Sequence, residues 1–173
     1  NIVHNKLSAK IYENMTDQTS SKSILLAKSI TPVKNTLIGN IIMPLDYTLK
    51  FKITPKASSS NLTNILHFTT GEKCCALGTI AAGLWFKPST GNKLELFVGI
   101  GDSSKGDRQI DVNGCEVGKT SEIIIKCDGS NVSCSINGVE KKFTGNNIQR
   151  YTGSIKIFCG NNFNDAANCL LED

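Results

Sequence analysis

The amino-acid sequence predicts an all-β chain folded as an antiparallel two-sheet β-sandwich. Three observations carry that prediction. Apolar residues recur at every second position in several short runs, turn-forming residues separate those runs, and no stretch carries a helical stripe of useful length. Period-two alternation marks a strand with one buried and one wet face, and short strands punctuated by turns build sandwiches and barrels. A chain of 173 residues suffices for one core, since about 70% of the unfolded surface is buried at such a length. No internal repeat, low-complexity tract or linker divides it. We expect one domain over residues 1–173, with 1–20 as a loosely packed N-terminal segment.

The first clear run is Tyr47, Leu49, Phe51 and Ile53, alternating with Thr48, Lys50, Lys52 and Thr54. The pattern returns in Leu94, Leu96, Val98 and Ile100, then in Ile123, Ile125 and Cys127. It continues through Val132, Cys134 and Ile136, and again through Ile155, Ile157 and Cys159. Less regular strands are expected near 23–30, 36–42, 64–70, 82–87 and 168–172. Ser20 to Ile30 could be drawn as a helix, but its β-branched ends and Pro32 favour a strand. Turn formers fill the gaps: Pro55 to Asn61, Gly71, Pro88 to Asn92, Gly101 to Gly106, Asp128 to Asn131 and Gly160 to Asn164. Asp128-Gly129-Ser130-Asn131 predicts a hairpin that sets residue 127 opposite 132 and 125 opposite 134. Cys127 and Cys134 would then lie diagonally on one face. Asn137-Gly138 predicts a second tight turn leading into Val139 to Phe143.

Composition excludes several functions. Hydrophobic content of 39% and charged content of 20% belong to a soluble globular chain, not a disordered one. No run reaches the ~18 apolar residues a membrane-spanning helix needs. The net charge of +4 is carried almost wholly by lysine, with Arg108 and Arg150 as the arginines. Nucleic-acid binders cluster cations and lean on arginine for bidentate phosphate contacts. Here the lysines are spread along strands, so a solvated sheet face is the plainer reading and a nucleic-acid partner is not expected. The chain begins at Asn1 without a charged-then-apolar leader, as a mature secreted chain or a trimmed one would. Seven cysteines favour an oxidising compartment. Glycosylation triplets begin at Asn14, Asn61 and Asn131, and together these features predict a secreted, extracellular protein.

The stretch IIIKCDGSNVSCSINGVEKKF resembles the strand–turn–strand of concanavalin-A-like (laminin-G-like) jelly rolls. IMPLDYTLKFKITP, NILHFTTGE and GLWFKPSTGNKLELFVG look like successive strands of the same sandwich, and GSIKIFCGNNFNDAANCLLED looks like its closing strand. The resemblance covers about residues 36–173. It implies two packed antiparallel sheets that bind glycans or proteins at the concave sheet or at rim loops. Fold alone does not assign function.

Chemistry is sparse. Glycosidases of this shape carry an E-x-D-x-E run whose carboxylates flank the scissile bond, but Glu95 stands alone between Leu94 and Leu96. The Q-I-H strand of polysaccharide lyases and the H-x-N-x-R and W-x-x-E signatures of galectins are absent. His4 and His67 are the histidines; His67, between Leu66 and Phe68, reads more simply as a packed sheet residue than as a base. Gly114 to Thr120 imitates a phosphate loop, but three residues separate its glycines where four are needed, and a strand follows. We therefore expect no catalytic residues and no enzyme.

Asp102, Asp107, Asp111 and Asn113 gather oxygens in what reads as one loop. Laminin-G-like relatives often carry calcium at the rim, so calcium is the one metal considered, against a plain polar loop; no cofactor is required. Cys74-Cys75 lacks zinc spacing. Cys159 and Cys169 bracket a loop short enough to close between neighbouring strands, which predicts a disulfide. Cys127–Cys134 would be a strained diagonal bridge or two buried thiols. Cys74, Cys75 and Cys115 are read as loop cysteines, and an odd total leaves a thiol free or bonded to another chain. For stacking on sugar rings the candidates are Trp85, Tyr151 and Phe163, with Asn161 beside them; Trp85 is either core with its neighbours outside, or the reverse. The first expectation is a non-enzymatic lectin-like domain binding glycans or glycoproteins. The alternative is an extracellular structural protein that self-associates, by disulfides or as a homo-oligomer, or scaffolds a secreted partner in a mineral or filament assembly.

Overall fold

The computed structural model describes residues 10–13, 29–71, 80–102, 106–144 and 150–173, excluding the side chains of 10–13, 102, 106–108 and 144. Its strands are β1 (Lys10–Glu13), β2 (Ser29–Ile30), β3 (Leu37–Met43), β4 (Tyr47–Pro55), β5 (Thr63–Thr69), β6 (Ile80–Phe86) and β7 (Lys93–Asp102). They continue as β8 (Gly106–Glu116), β9 (Ser121–Asp128), β10 (Asn131–Ile136), β11 (Val139–Thr144), β12 (Gly153–Phe158), β13 (Asp165–Ala166) and β14 (Cys169–Glu172). The first sheet runs β11-β10-β9-β4-β14-β2, with β1 also on β4; the second runs β3-β12-β5-β6-β7-β8, with β13 on β5. All pairings are antiparallel except β13 with β5. No helix occurs among the described residues.

The alternation in the sequence becomes the core. Leu49, Phe51 and Ile53 of β4 and Ile123 and Ile125 of β9 point inward from the first sheet. They join one cluster with Leu66 and Phe68 of β5, Leu84 of β6 and Leu96 and Val98 of β7 from the second. Each such side chain contributes roughly 1.5–3 kcal/mol on leaving water. The β9–β10 hairpin has the expected register, with Cys127 opposite Val132 and Ile125 opposite Cys134. At the next turn Asn137 and Gly138 take φ of 51° and 82°, the left-handed pair that a two-residue type I′ hairpin requires.

Several expectations change. Residues 107–113 form no loop: they lie within β8, an eleven-residue strand paired along its length with β7. Ile110, Val112 and Cys115 are its inward residues, and the charged and small residues around them hid a short alternation. Of the segment 1–20, Lys10–Glu13 pairs with β4; the remainder lies outside the described residues, as do most of 23–30, Asn14, Cys74 and Cys75.

The disulfide expected for Cys159–Cys169 is not formed, and of the two readings of Cys127 and Cys134 the buried thiols hold: Cys115, Cys127, Cys134, Cys159 and Cys169 are all buried free thiols. A diagonal cross-strand pair holds its residues about 7–8 Å apart, beyond the roughly 4.4–6.8 Å Cα separation of a disulfide. Cys159 follows β12 and Cys169 opens β14, strands of opposite sheets that meet across the core. Cys115 ends β8 as a core residue instead of standing in a loop.

Candidate functional site

The outward face of the second sheet carries the candidate site. On β5, Leu66 and Phe68 turn into the core, so His67 between them faces outward. Antiparallel register sets Phe158 opposite His67 and Lys156 opposite Thr69, which gathers these four on one face of neighbouring strands. On β6, Leu84 and Phe86 face the core and Trp85 faces out. Trp85 nonetheless stays buried at 3% exposure, because the sheet surface beneath it is hollowed by glycines. A Cβ on Gly83 would stand 2.1 Å from its ring, and one on Gly99 3.3 Å. The indole therefore lies close against the strands, 5.1 Å from the Phe97 ring and edge-on to His67 at 6.0 Å.

A polar network lays a loop over this aromatic floor. Buried Asn64 donates to the Leu66 and Leu84 carbonyls and accepts from the Asn161 amide at 2.8 Å. The Asn161 side-chain oxygen accepts from the Phe163 and Asn164 amides at 3.1 and 2.9 Å, and Trp85 Nε1 donates to Asn164 Oδ1 at 3.1 Å. The turn between β2 and β3 is laced to the same loop, with Asn35 N–H donating to the Asn161 carbonyl and Thr36 N–H to that of Gly160. Asn35 takes the left-handed conformation (φ 59°) to do so.

Between turn, loop and sheet opens a cleft of about 280 Å³, lined by Asn35, His67, Thr69, Lys156, Asn162 and Phe163 among others. His67 is 1% exposed, and neither ring nitrogen has a hydrogen-bond partner. Burial pushes its pKa down to about 4, so at neutral pH it is an uncharged imidazole with one N–H donor and one lone pair. Lys156 is the one charged side chain among the described residues lining the cleft. Amides, a neutral imidazole, a cation and the exposed edge of Phe163 can together bind a polar molecule bearing hydroxyls and a negative charge.

Of the residues singled out in the sequence, Asn161 and Phe163 meet at this cleft. Asn161 works there mainly by folding the loop, and Phe163, 43% exposed, stands at the rim. Trp85 sits behind His67, covered by the loop. Tyr151 packs half-buried against the core and lines no part of the cleft. Asp111 and Asn113 lie on a regular strand, and Asp111 is bound by Lys87 at 2.6 Å, which also reaches Glu95 at 3.3 Å. No group of three or more His, Cys, Asp or Glu side chains converges among the described residues; the side chains of Asp102 and Asp107 lie outside the description. Asn61 and Asn131 are exposed. Sequence reasoning missed Asn35, Thr69, Lys156 and Asn162. Lys156 was legible as outward-facing from Ile155 and Ile157; nothing local placed the other three beside it.

No protein-family model matches the chain, and no curated protein matches it. Solved structures do. A SAP-like pentraxin from Limulus polyphemus is similar over 96% of this chain and 74% of its own, at 13% identity and a TM-score of 0.55. The CBM40 module of a Ruminococcus gnavus sialidase, bound to α2,3-sialyllactose, matches over 83% and 90%, at 9% identity and 0.53. An alginate lyase from Pseudomonas aeruginosa matches 74% of this chain at 13% identity and 0.50, and the chain spans 61% of that enzyme's length. The last similarity corrects one expectation. The expectation of no enzyme, drawn from missing catalytic motifs, does not stand, because an alginate lyase shares the architecture. The two-sheet order and these similarities together identify the fold as the concanavalin-A-like jelly roll.

Proposed function

We propose that the chain binds a carbohydrate in the cleft beside His67, and that the preferred sugar carries a carboxylate. The observation that carries this reading is a buried, uncharged and unpartnered imidazole lining an open cleft whose one charged described wall residue is Lys156. A sugar ring alternates donor and acceptor hydroxyls, which suits neutral His67, Asn35 and Asn162. Its apolar face suits the Phe163 edge, and a carboxylate suits Lys156 through a charge-assisted hydrogen bond. The sialyllactose complex and the alginate lyase among the similar folds support an acidic sugar by analogy. We place this activity outside the cell, a reading supported by the exposed Asn61 and Asn131 triplets.

Calorimetric titration with an oligouronate and with its methyl ester tests the proposal. The acid form binds, and Lys156→Met weakens it about tenfold while leaving the ester unaffected, as loss of one charge-assisted bond predicts. Absence of binding by every acidic and neutral oligosaccharide tried would overturn the reading. The same incubations report cleavage, since eliminative chain scission leaves a conjugated double bond that absorbs in the ultraviolet.

A further inference from the structure

We propose that β3 is a self-association edge, through which two copies of the chain join their second sheets into one continuous sheet. The observation is a concentration of exposed apolar surface. Val33, Leu37, Ile42 and Leu45 are 59%, 49%, 70% and 52% exposed, and all lie on β3 or the turns at its two ends. β3 pairs with β12 on one side, and no described strand pairs on the other. An unpaired edge presents a row of backbone donors and acceptors, and proteins that must stay apart guard such edges with lysine, proline or inward charge. β3 reads Leu-Ile-Gly-Asn-Ile-Ile-Met and has no such guard. At the edge of the first sheet, β11 reads Val-Glu-Lys-Lys-Phe-Thr.

The occupant is a second copy because β3 is self-complementary. Antiparallel pairing about a two-fold axis at Asn40 brings the two Asn40 side chains together on the outward face. Exposed Ile42 of each copy then lies beside the Leu37 end of the other, where a register shift turns Leu37 outward and leaves Ile38 packed against the core. The same operation carries the Leu45 end of one strand to the Val33–Leu37 end of the other, so the exposed apolar residues cover one another in pairs. No like charges meet. The equivalent pairing of β11 would set Lys141 against Lys142, which opposes it.

A two-fold axis normal to the sheet keeps both outward faces on the same side. The clefts lie beside this edge, since Asn35 precedes β3 and Lys156 lies on the neighbouring β12. The dimer would therefore present two clefts to one surface or one polymer, and bind it with avidity.

Sedimentation velocity over a concentration series tests the proposal. The unaltered chain forms a reversible dimer, and Ile42→Lys raises the dimer dissociation constant by about a hundredfold, as burial of a charge at two symmetric positions predicts. Circular dichroism confirms that the variant is folded, and Val139→Lys, at the other edge, leaves association unchanged. Asn40→Cys supplies an independent readout: a bond between copies forms on mild oxidation, absent from the parent chain. A monomer throughout the series, a dimer indifferent to Ile42→Lys, or failure of Asn40→Cys to crosslink would each overturn the proposal. None of these outcomes depends on whether the clefts bind sugar.

Discussion

His67 concentrates the chemistry of the molecule in one side chain. Burial lowers its pKa from 6.5 to about 4, so the folded state holds it neutral where the unfolded chain would protonate it. The unfolded state then binds more protons between these two values, and stability falls as pH drops through that window. The full shift corresponds to about 3 kcal/mol. Chemical denaturation should show constant stability above pH ~7 and a loss beginning below the unfolded histidine value. His67→Gln should remove most of the decline between those limits. An unchanged pH profile in that variant would assign the decline to other groups. The sequence showed His67 as a sheet residue flanked by core positions. It could not show the cleft that His67 lines, because Asn35 and Lys156 reach that cleft only through the turn before β3 and the register of β12.

At the scale of elements, the best-read part of the chain is the meander β9–β10–β11. Its alternation, its Asp-Gly turn and its Asn-Gly turn are all local signals, and each determines a register without distant help. Asn137 does more than turn the chain. Its side chain accepts the Glu122 N–H at 2.8 Å and donates to Ser121 Oγ at 3.3 Å, tying the β10–β11 turn to the start of β9. Replacing Asn137 by Ala removes both bonds and puts a less tolerant residue at positive φ. Urea unfolding should report a loss of about 1–2 kcal/mol, with Asn137→Asp losing less because it keeps the acceptor and the local conformation. Equal losses in both variants would refute that account. By contrast β8 was illegible. Its inward positions are few, Gly106 and Gly114 imitate turn signals, and Asp111 and Asn113, read as part of a calcium loop, lie on a strand that its partner β7 fixes.

The architecture of the whole molecule followed from period-two patterning, since two sheets each with one apolar face can only close on each other. What the pattern could not supply was the fate of the cysteines. Counting them suggested bridges; packing makes the five described ones core hydrophobes. Burial pushes Cys159 and Cys134 up to about 12 and Cys115 to about 11, and thiols so deprived of thiolate are inert. An aromatic disulfide reagent should therefore leave Cys115, Cys127, Cys134, Cys159 and Cys169 unmodified in the native protein and modify all five after unfolding in denaturant. Labelling of any of these five under native conditions, located by peptide mass, would contradict the packing described.

The seat of Trp85 has a practical consequence. It is the only indole in the chain, and its N–H is tied to the loop residue Asn164, one position from the rim aromatic Phe163. Fluorescence excited at the red edge of the protein spectrum comes from this ring alone. Any guest that shifts the loop alters the polarity around the fluorophore, so emission wavelength gives an unlabelled, single-channel record of occupancy.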